Sequence, residues 1–375
     1  MSRSPKLYFQ RWAAVWIALS CANAIAGAKL PAFPENPQAH DLEKVAEGVY
    51  AFISPIGVTP LVSGNSLVVI GDDSVLVVDT GQFPSLARAE IAKIRELTSL
   101  PVRYVVTTHW HPDHWVGNEQ FVRAFPGISI IATANTRALA QSHGSQFVST
   151  EYADKILDSI DKALARGTHG DGRRLLPSEL PYLEMAKIQF RGFGKDLTGA
   201  KLIYPNVVFS DGMDIYLGKR LVQIRFLGRG NTGGDAVVFV PDAKVLAAGD
   251  LVVNPFPYGS GSFYSEWSST LQKLLALDAR VIVPGHGSVE RDDAYVKRLI
   301  KLLGSLQDQV AAAIKEDLSL EDTQKRVTLA DAMQEFCGGQ EFKELCQNSF
   351  QFNFVQPAVA RTYKEQKEGP LATED

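Results

Sequence analysis

Four potential metal donors fall within six residues in Thr108-His109-Trp110-His111-Pro112-Asp113-His114, directly after the β-branched-rich run Val102 to Thr107. That run reads as a strand, so the donors sit where a strand ends and a loop begins. In open α/β sheets, ligand sites gather at the C-terminal ends of strands, which makes this cluster a constraint on the whole fold. His109 and His111 are one residue apart in extended chain and point the same way, so both reach one ion. Asp113 and His114 then turn toward a neighbouring position. Imidazole nitrogens mixed with carboxylate form the donor set that suits Zn²⁺ with one position left open for water.

The flanking sequence supports such a sheet. Ser66 to Ile70, the turn Gly71-Asp72-Asp73 and Val75 to Val78 read as hairpin strands. Ala87, Ile91 and Ile94 share one helical face before the strand at Val102. A helix over Asn118 to Phe125, a strand at Ile128 to Ile131 and a helix over Thr136 to Gln141 continue an alternating α/β unit. Residues 150–199 break the rhythm and read as an insertion or lid. Strands return at Val207 to Phe209, Asp214 to Leu217, Leu221 to Phe226, Ala236 to Val240 and Lys244 to Ala248, followed by a helix over Ser265 to Leu277 and a strand at Val281 to Val283. The domain so defined runs over 48–291, with 29–47 as an N-terminal linker and 292–375 as a helical C-terminal extension. In that extension Leu299, Leu302, Leu303 and Leu306 form a stripe for packing on the same domain or, as the less favoured alternative, on another subunit.

Three further elements lie at expected strand ends: Val77-Val78-Asp79-Thr80-Gly81, Ala248-Gly249-Asp250 and Pro284-Gly285-His286-Gly287. With the HxHxDH cluster they make the chain resemble the metallo-β-lactamase-fold hydrolases from roughly Val49 to Val289. The resemblance implies an αββα sandwich of two mixed sheets flanked by helices, within the α/β (α+β) class. It also implies that His109 and His111 hold a first metal, that Asp113, His114 and His286 hold a second, and that Asp250 bridges the two. Asp79 would stand behind the ligands and accept hydrogen bonds that fix the histidine loop.

One position departs from the family pattern. Where a third first-site histidine is usual, in G-x-x-H-T-x-G-D, this chain has Gly228-Arg229-Gly230-Asn231-Thr232-Gly233-Gly234-Asp235. An amide oxygen is a neutral, weaker donor than imidazole. Three readings stay open: a two-metal site with Asn231 as weak ligand, a one-metal enzyme using the second site, and a site without catalysis. His169, in the loop Gly167 to Gly172, is a candidate replacement ligand, with a solvated loop histidine as the alternative. His40 and His143 read as structural or solvated. Trp115 and Tyr258, with Trp110, Phe256, Phe263 and Tyr264, either wall a substrate pocket or pack the core.

At 375 residues, with 45% hydrophobic and 21% charged, the chain is long enough for one large domain or two modest ones, and disorder is excluded as the main theme. A formal net charge of -4 leaves no cationic surplus for a phosphate backbone, so nucleic acid is not an expected partner and a small-molecule substrate is. Residues 1–28 read as a signal peptide: Arg3, Lys6 and Arg11 precede an apolar run from Trp12 to Leu19. Cleavage sites ending at Ala24, Ala26 and Ala28 compete, and Ala28 leaves a polar mature start. The apolar run is shorter than the ~20 residues of a membrane span, and Ala18 argues against lipid attachment at Cys21. The expected location is periplasmic or secreted, with no stable span in the mature chain. There Cys337 and Cys346 can form a disulfide, against the alternative of two buried thiols.

The chemistry implied is hydrolysis of an acyl bond in a β-lactam, lactone, thioester or other ester or amide by a metal-bound hydroxide oriented by Asp113 and Asp250. A metal-binding, non-enzymatic member of the same fold is the alternative, and a phosphodiesterase or nuclease is disfavoured by the acidic balance.

Overall fold

The computed structural model describes residues 40–54, 61–170, 172, 174–175, 180–339 and 343–374. The expected signal segment and most of the expected linker lie outside the described residues. Seven strands form the first sheet in spatial order: β1 (Asp41–Ala46), β2 (Val49–Ile53), β3 (Ser66–Ile70), β4 (Val75–Val78), β5 (Val102–Val106), β6 (Ser129–Thr133) and β7 (Val207–Phe209). They pair antiparallel up to β4 and parallel beyond it. The second sheet holds β8 (Gly212–Leu217), β9 (Arg220–Phe226), β10 (Ala236–Val240), β11 (Val245–Val253) and β12 (Val281–His286). Only β11 and β12 pair in parallel in it.

The sheets stack because their central strands are apolar on both faces. All four residues of β4 are buried. Leu76 and Val78 enter the inter-sheet core with Val222, Ile224, Val238 and Ala247, while Val75 and Val77 face the opposite way, against Ala87, Ile91 and Ile94. This is the period-two alternation of a strand clad on both sides. The helix supplying those three residues is α1 (Pro84–Leu97), and α2 (Asn118–Ala124) and α3 (Ala134–Ser142) accompany β5 and β6. The result is the expected αββα sandwich.

The stretch read as an insertion or lid contains α4 (Thr150–Arg166) and α5 (Leu180–Asp196), which pack on each other. Ser149 caps α4 by accepting from Tyr152 N, and Gly167 closes it at φ 68°. Ile156, Ile160, Phe190 and Phe193 bury against Phe83, Leu86 and Val116, so the pair is docked beside the histidine loop.

Beyond the second sheet lie α6 (Tyr264–Leu275), α7 (Ala294–Lys315), α8 (Leu320–Arg326), α9 (Ala330–Cys337), α10 (Lys343–Ser349), a π-helical turn at Phe350–Val355, and α11 (Gln356–Glu368). The leucine stripe of α7 packs on this same domain: Leu299, Leu302, Leu303 and Leu306 join Trp267, Phe336, Phe350, Phe354 and Val359 over the outer face of β10 and β11. Cys337 and Cys346 form the expected disulfide, with Cα atoms 5.5 Å apart. Among the described residues, no helix is long and apolar enough to cross a membrane.

Two readings need correction. The segment taken as linker contains β1, so the sheet begins near residue 41 and not 48. Only Val45 of that strand is buried, which is why it lacks an apolar alternation. Asp250 lies inside β11, not after it, because the strand continues to Val253.

Candidate metal centre

The donors converge from three strands of the two sheets: the histidine loop follows β5, Asp250 lies within β11 and His286 ends β12. Pairing of β11 with β12 is irregular between Gly249 and Val253, and such a bulge re-aims a side chain. It sends Asp250 to the middle of the histidines. Asp250 Oδ2 lies 3.5 Å from His109 Nε2, and Oδ1 lies 3.3 Å from His114 Nε2 and 3.5 Å from His286 Nε2. His109 Nε2 and His111 Nδ1 are 3.0 Å apart. Asp113 Oδ2 is 3.4 Å from His114 Nε2 and 3.0 Å from His286 Nε2, and those two nitrogens are 3.3 Å from each other. Two groups result, His109–His111–Asp250 and Asp113–His114–His286, each with donor atoms mutually close enough for one ion. A tetrahedral ion with bonds of about 2.0–2.1 Å holds its ligands about 3.3 Å apart, so these separations fit a divalent metal. Asp250 presents one oxygen to each group, and its Oδ1 makes no hydrogen bond.

The ring orientations are set from behind. Asp79 Oδ1 accepts Thr108 N–H and its Oδ2 accepts Thr108 Oγ1–H, each at 2.8 Å. Having given its hydrogen to Asp79, Thr108 Oγ1 accepts from His109 Nδ1 at 3.0 Å, which leaves the Nε2 lone pair for metal. His114 Nδ1 donates to Asp79 Oδ2 at 2.8 Å with the same outcome. Asp79 achieves this at φ 57°, a left-handed conformation that costs a non-glycine residue of order 1–3 kcal/mol and is typical of functional sites. Close approach demands glycine at two places. A Cβ on Gly285 would lie 1.9 Å from Asp250 Oδ1, and one on Gly64 would lie 2.4 Å from the His114 ring.

The electrostatics divide the two groups. Burial and the charge of His114 hold His109 well below the usual histidine range, and burial takes His111 down to about 4. Burial also opposes charge on His114 and His286, but carboxylates outweigh it: Asp113, Asp250 and Asp79 raise His114 well above its ordinary value, and Asp250 and Asp113 raise His286. Asp113 and Asp250 are themselves lowered, since the neighbouring imidazoles overcome their desolvation. Carboxylate charge thus collects protons on the second group, protons that a cation replaces.

Asn231 is 1% exposed, and neither of its amide atoms has a hydrogen-bond partner. Leaving each unpaired costs roughly 1–3 kcal/mol, which a ligand offsets. Its loop is fixed next door, where Thr232 N and Oγ1 both donate to Asp235. Of the other residues singled out, Tyr258 stands edge-on to His111 with ring centroids 6.5 Å apart, its hydroxyl pushed up to about 12 by burial. Trp115 does not line a pocket: it is fully buried with Ala140 and Trp110, and donates Nε1–H to Trp110 O at 2.8 Å. Trp110, Phe263 and Tyr264 are buried too, and Phe256 packs on Phe350. His169 belongs to neither donor group. His40 is structural, bonded to Glu90 at 2.7 Å, and His143 bonds to Ser142 Oγ.

Two contributors escaped the motif reading. Asn65 donates Nδ2–H to Pro284 O and Gly287 O, and its own N–H to Gly285 O, so it grips the turn that carries His286. Glu374 reaches Trp110 and Gly233 from the end of the C-terminal extension.

A double cluster of histidines and carboxylates at one edge of an αββα sandwich defines a hydrolase-like metal-binding fold. The chain belongs to the metallo-β-lactamase superfamily, whose family model matches residues 59–286. A linear primary-alkylsulfatase from Pseudomonas sp. (strain ATCC 19151) is 23% identical over 269 residues, covering 68% of this chain and 48% of that protein. A type 2 metallo-β-lactamase from Bacillus sp. (strain 170) is 29% identical over 82 residues, covering 20% of this chain and 32% of that one. The chain thus spans about half or less of the curated relatives it matches. Among solved structures, a metallo-β-lactamase from Pontibacter korlensis shares the fold with a TM-score of 0.50 at 19% identity, covering 71% of this chain and 99% of that one.

Proposed function

We propose that the protein is an exported, zinc-dependent hydrolase that cleaves an acyl bond in a small molecule. The observation that carries this reading is the bridging position of Asp250, which offers one oxygen to each donor group. His109, His111 and Asp250 would hold one ion, with Asn231 beside them as a weak donor, and Asp113, His114, His286 and Asp250 the other. Bound there, zinc supplies Lewis acidity and lowers the pKa of water from about 15.7 to about 7. Asp113 and Asp250, both lowered, stay ionised at neutral pH and would orient the attacking water by accepting hydrogen bonds from it. The Tyr258 hydroxyl, raised to about 12, stays protonated and is a donor for substrate. The buried amide of Asn231 offers a further donor and acceptor. The signal-like segment 1–28 and the Cys337–Cys346 disulfide support export.

The similarity to an alkylsulfatase favours one second reading, hydrolysis of a sulfate ester at the same centre. A panel of β-lactams, lactones, thioesters, carboxylic esters and alkyl sulfates, run with and without chelator, tests both. Chelator-sensitive release of a carboxylic acid supports the first reading and release of inorganic sulfate the second. Zinc bound without turnover of any member contradicts both and supports a metal-binding protein.

A further inference from the structure

The residues after α11 return as a strap to the rim of the metal centre. Arg229 Nη1 donates to Leu371 O at 2.9 Å. Arg361, which donates through Nε to Ser262 O at 3.1 Å, also reaches Thr373 O. Both guanidiniums lie against the Phe263 ring, 4.1 and 5.4 Å from its centroid. So anchored, the strap delivers the Glu374 carboxylate to two N–H groups: Trp110 Nε1–H donates to Oε2, and Gly233 N–H donates to Oε1 at 2.6 Å. Trp110 stands between His109 and His111, and Gly233 is two residues past Asn231. One carboxylate is therefore held by both loops that border the first donor group.

The donors belong to the rigid part of the molecule. Trp110 is 5% exposed and its carbonyl is engaged by Trp115, while the Gly233 loop is tied by the Thr232–Asp235 bonds. The acceptor sits on a long, partly exposed side chain, whereas the arginine anchors hold the backbone carbonyls of Leu371 and Thr373 and do not depend on that side chain's rotamer. Two N–H groups, one to each oxygen, make charge-assisted bonds to any carboxylate of that shape. Asp235 feels the charge of both Glu374 and Asp250, so an anion at this position is poorly placed until cations occupy the donor groups. Divalent ions reverse the local field and favour it.

We propose that Trp110 Nε1–H and Gly233 N–H form an anion-recognition subsite beside the metal centre, and that Glu374 occupies it as an internal stand-in. Substrates carry a carboxylate or comparable oxyanion that takes the subsite when the Glu374 side chain swings out. The substrate part of this inference rests on the hydrolase reading above; the subsite does not.

The test uses the full zinc-loaded chain with ¹⁵N-labelled tryptophan. Among the indole signals, that of Trp110 is identified by its loss in Trp110→Phe. Glu374→Ala is expected to move this signal, and sodium acetate to return it saturably toward its original position in the variant, binding about tenfold tighter there than in the parent. Glu374→Gln repeats the experiment with the side-chain shape retained, and sodium sulfate replaces acetate to separate carboxylate from sulfate recognition. An unmoved signal in both variants, or equal acetate effects in variant and parent, overturns the subsite. In hydrolysis, Glu374→Ala is expected to lower KM for an anionic ester about tenfold relative to its neutral analogue. Turnover with an unchanged ratio overturns the substrate assignment. No turnover by either protein defeats the hydrolase reading and with it the substrate assignment, while the indole titration still decides the subsite.

Discussion

Asp79 Oδ2 accepts the Nδ1–H of His114 at 2.8 Å, and because a carboxylate only accepts, this contact commits the opposite nitrogen of the ring to the metal side. The same carboxylate acts on His109 through Thr108. Asp79→Ala therefore loosens a ligand in each donor group, and zinc affinity is expected to fall about 10–100-fold. Competition against a chromogenic chelator measures this, and an unchanged affinity would place Asp79 outside the metal-supporting network.

Acid should act unequally on the two groups. His114 and His286 have raised pKa values, so below those values each carries a proton in the metal-free protein that zinc has to displace. Second-group affinity is expected to fall as pH falls, by up to about tenfold per pH unit for each proton displaced. His111 is lowered to about 4 and His109 well below its usual range, so the first group meets no such competition until pH approaches that region. Calorimetry at neutral pH in buffers of different ionisation enthalpy should show protons released by one binding event and few by the other. Equal release from both would contradict the assignment.

Asn231→His replaces a buried amide, unpartnered at both atoms, with a strong nitrogen donor. First-group zinc affinity is expected to rise by about tenfold or more, each factor of ten being about 1.4 kcal/mol. An affinity unmoved by the substitution would show that position 231 does not face the ion.

Gly285→Ala places a methyl group 1.9 Å from Asp250 Oδ1. Overpacking of this kind costs typically about 1–3 kcal/mol, and here it also displaces the bridging carboxylate. Zinc content should drop while the variant remains folded by circular dichroism. Full zinc occupancy in Gly285→Ala would mean that the Pro284–Gly287 turn gives way in place of Asp250.

Local pattern made much of the fold legible. Strands β3, β4 and β10 have the bounds read from their apolar runs, because Gly71-Asp72-Asp73 and comparable turns punctuate them. The donor residues were legible because a cluster of histidine and aspartate after a strand has few other uses. β1 was not, since an edge strand with one buried residue shows no alternation. Of the two alternatives open for Trp115, core packing holds; proximity in sequence to the ligands does not say which face of a loop a ring takes. Asn65 and Glu374 act across 219 and 264 residues, on Pro284 and Trp110, and contacts at such separation leave no mark in the local sequence.

The most direct test of the account is the zinc content of the purified parent and of Asp250→Ala after saturation and dialysis. Because Asp250 turns one oxygen to each group, the account predicts about two ions per chain in the parent, at most one in the variant, and chelator-sensitive hydrolysis only in the parent. A parent that retains no zinc, or a variant that binds zinc and turns over substrate like the parent, would contradict it.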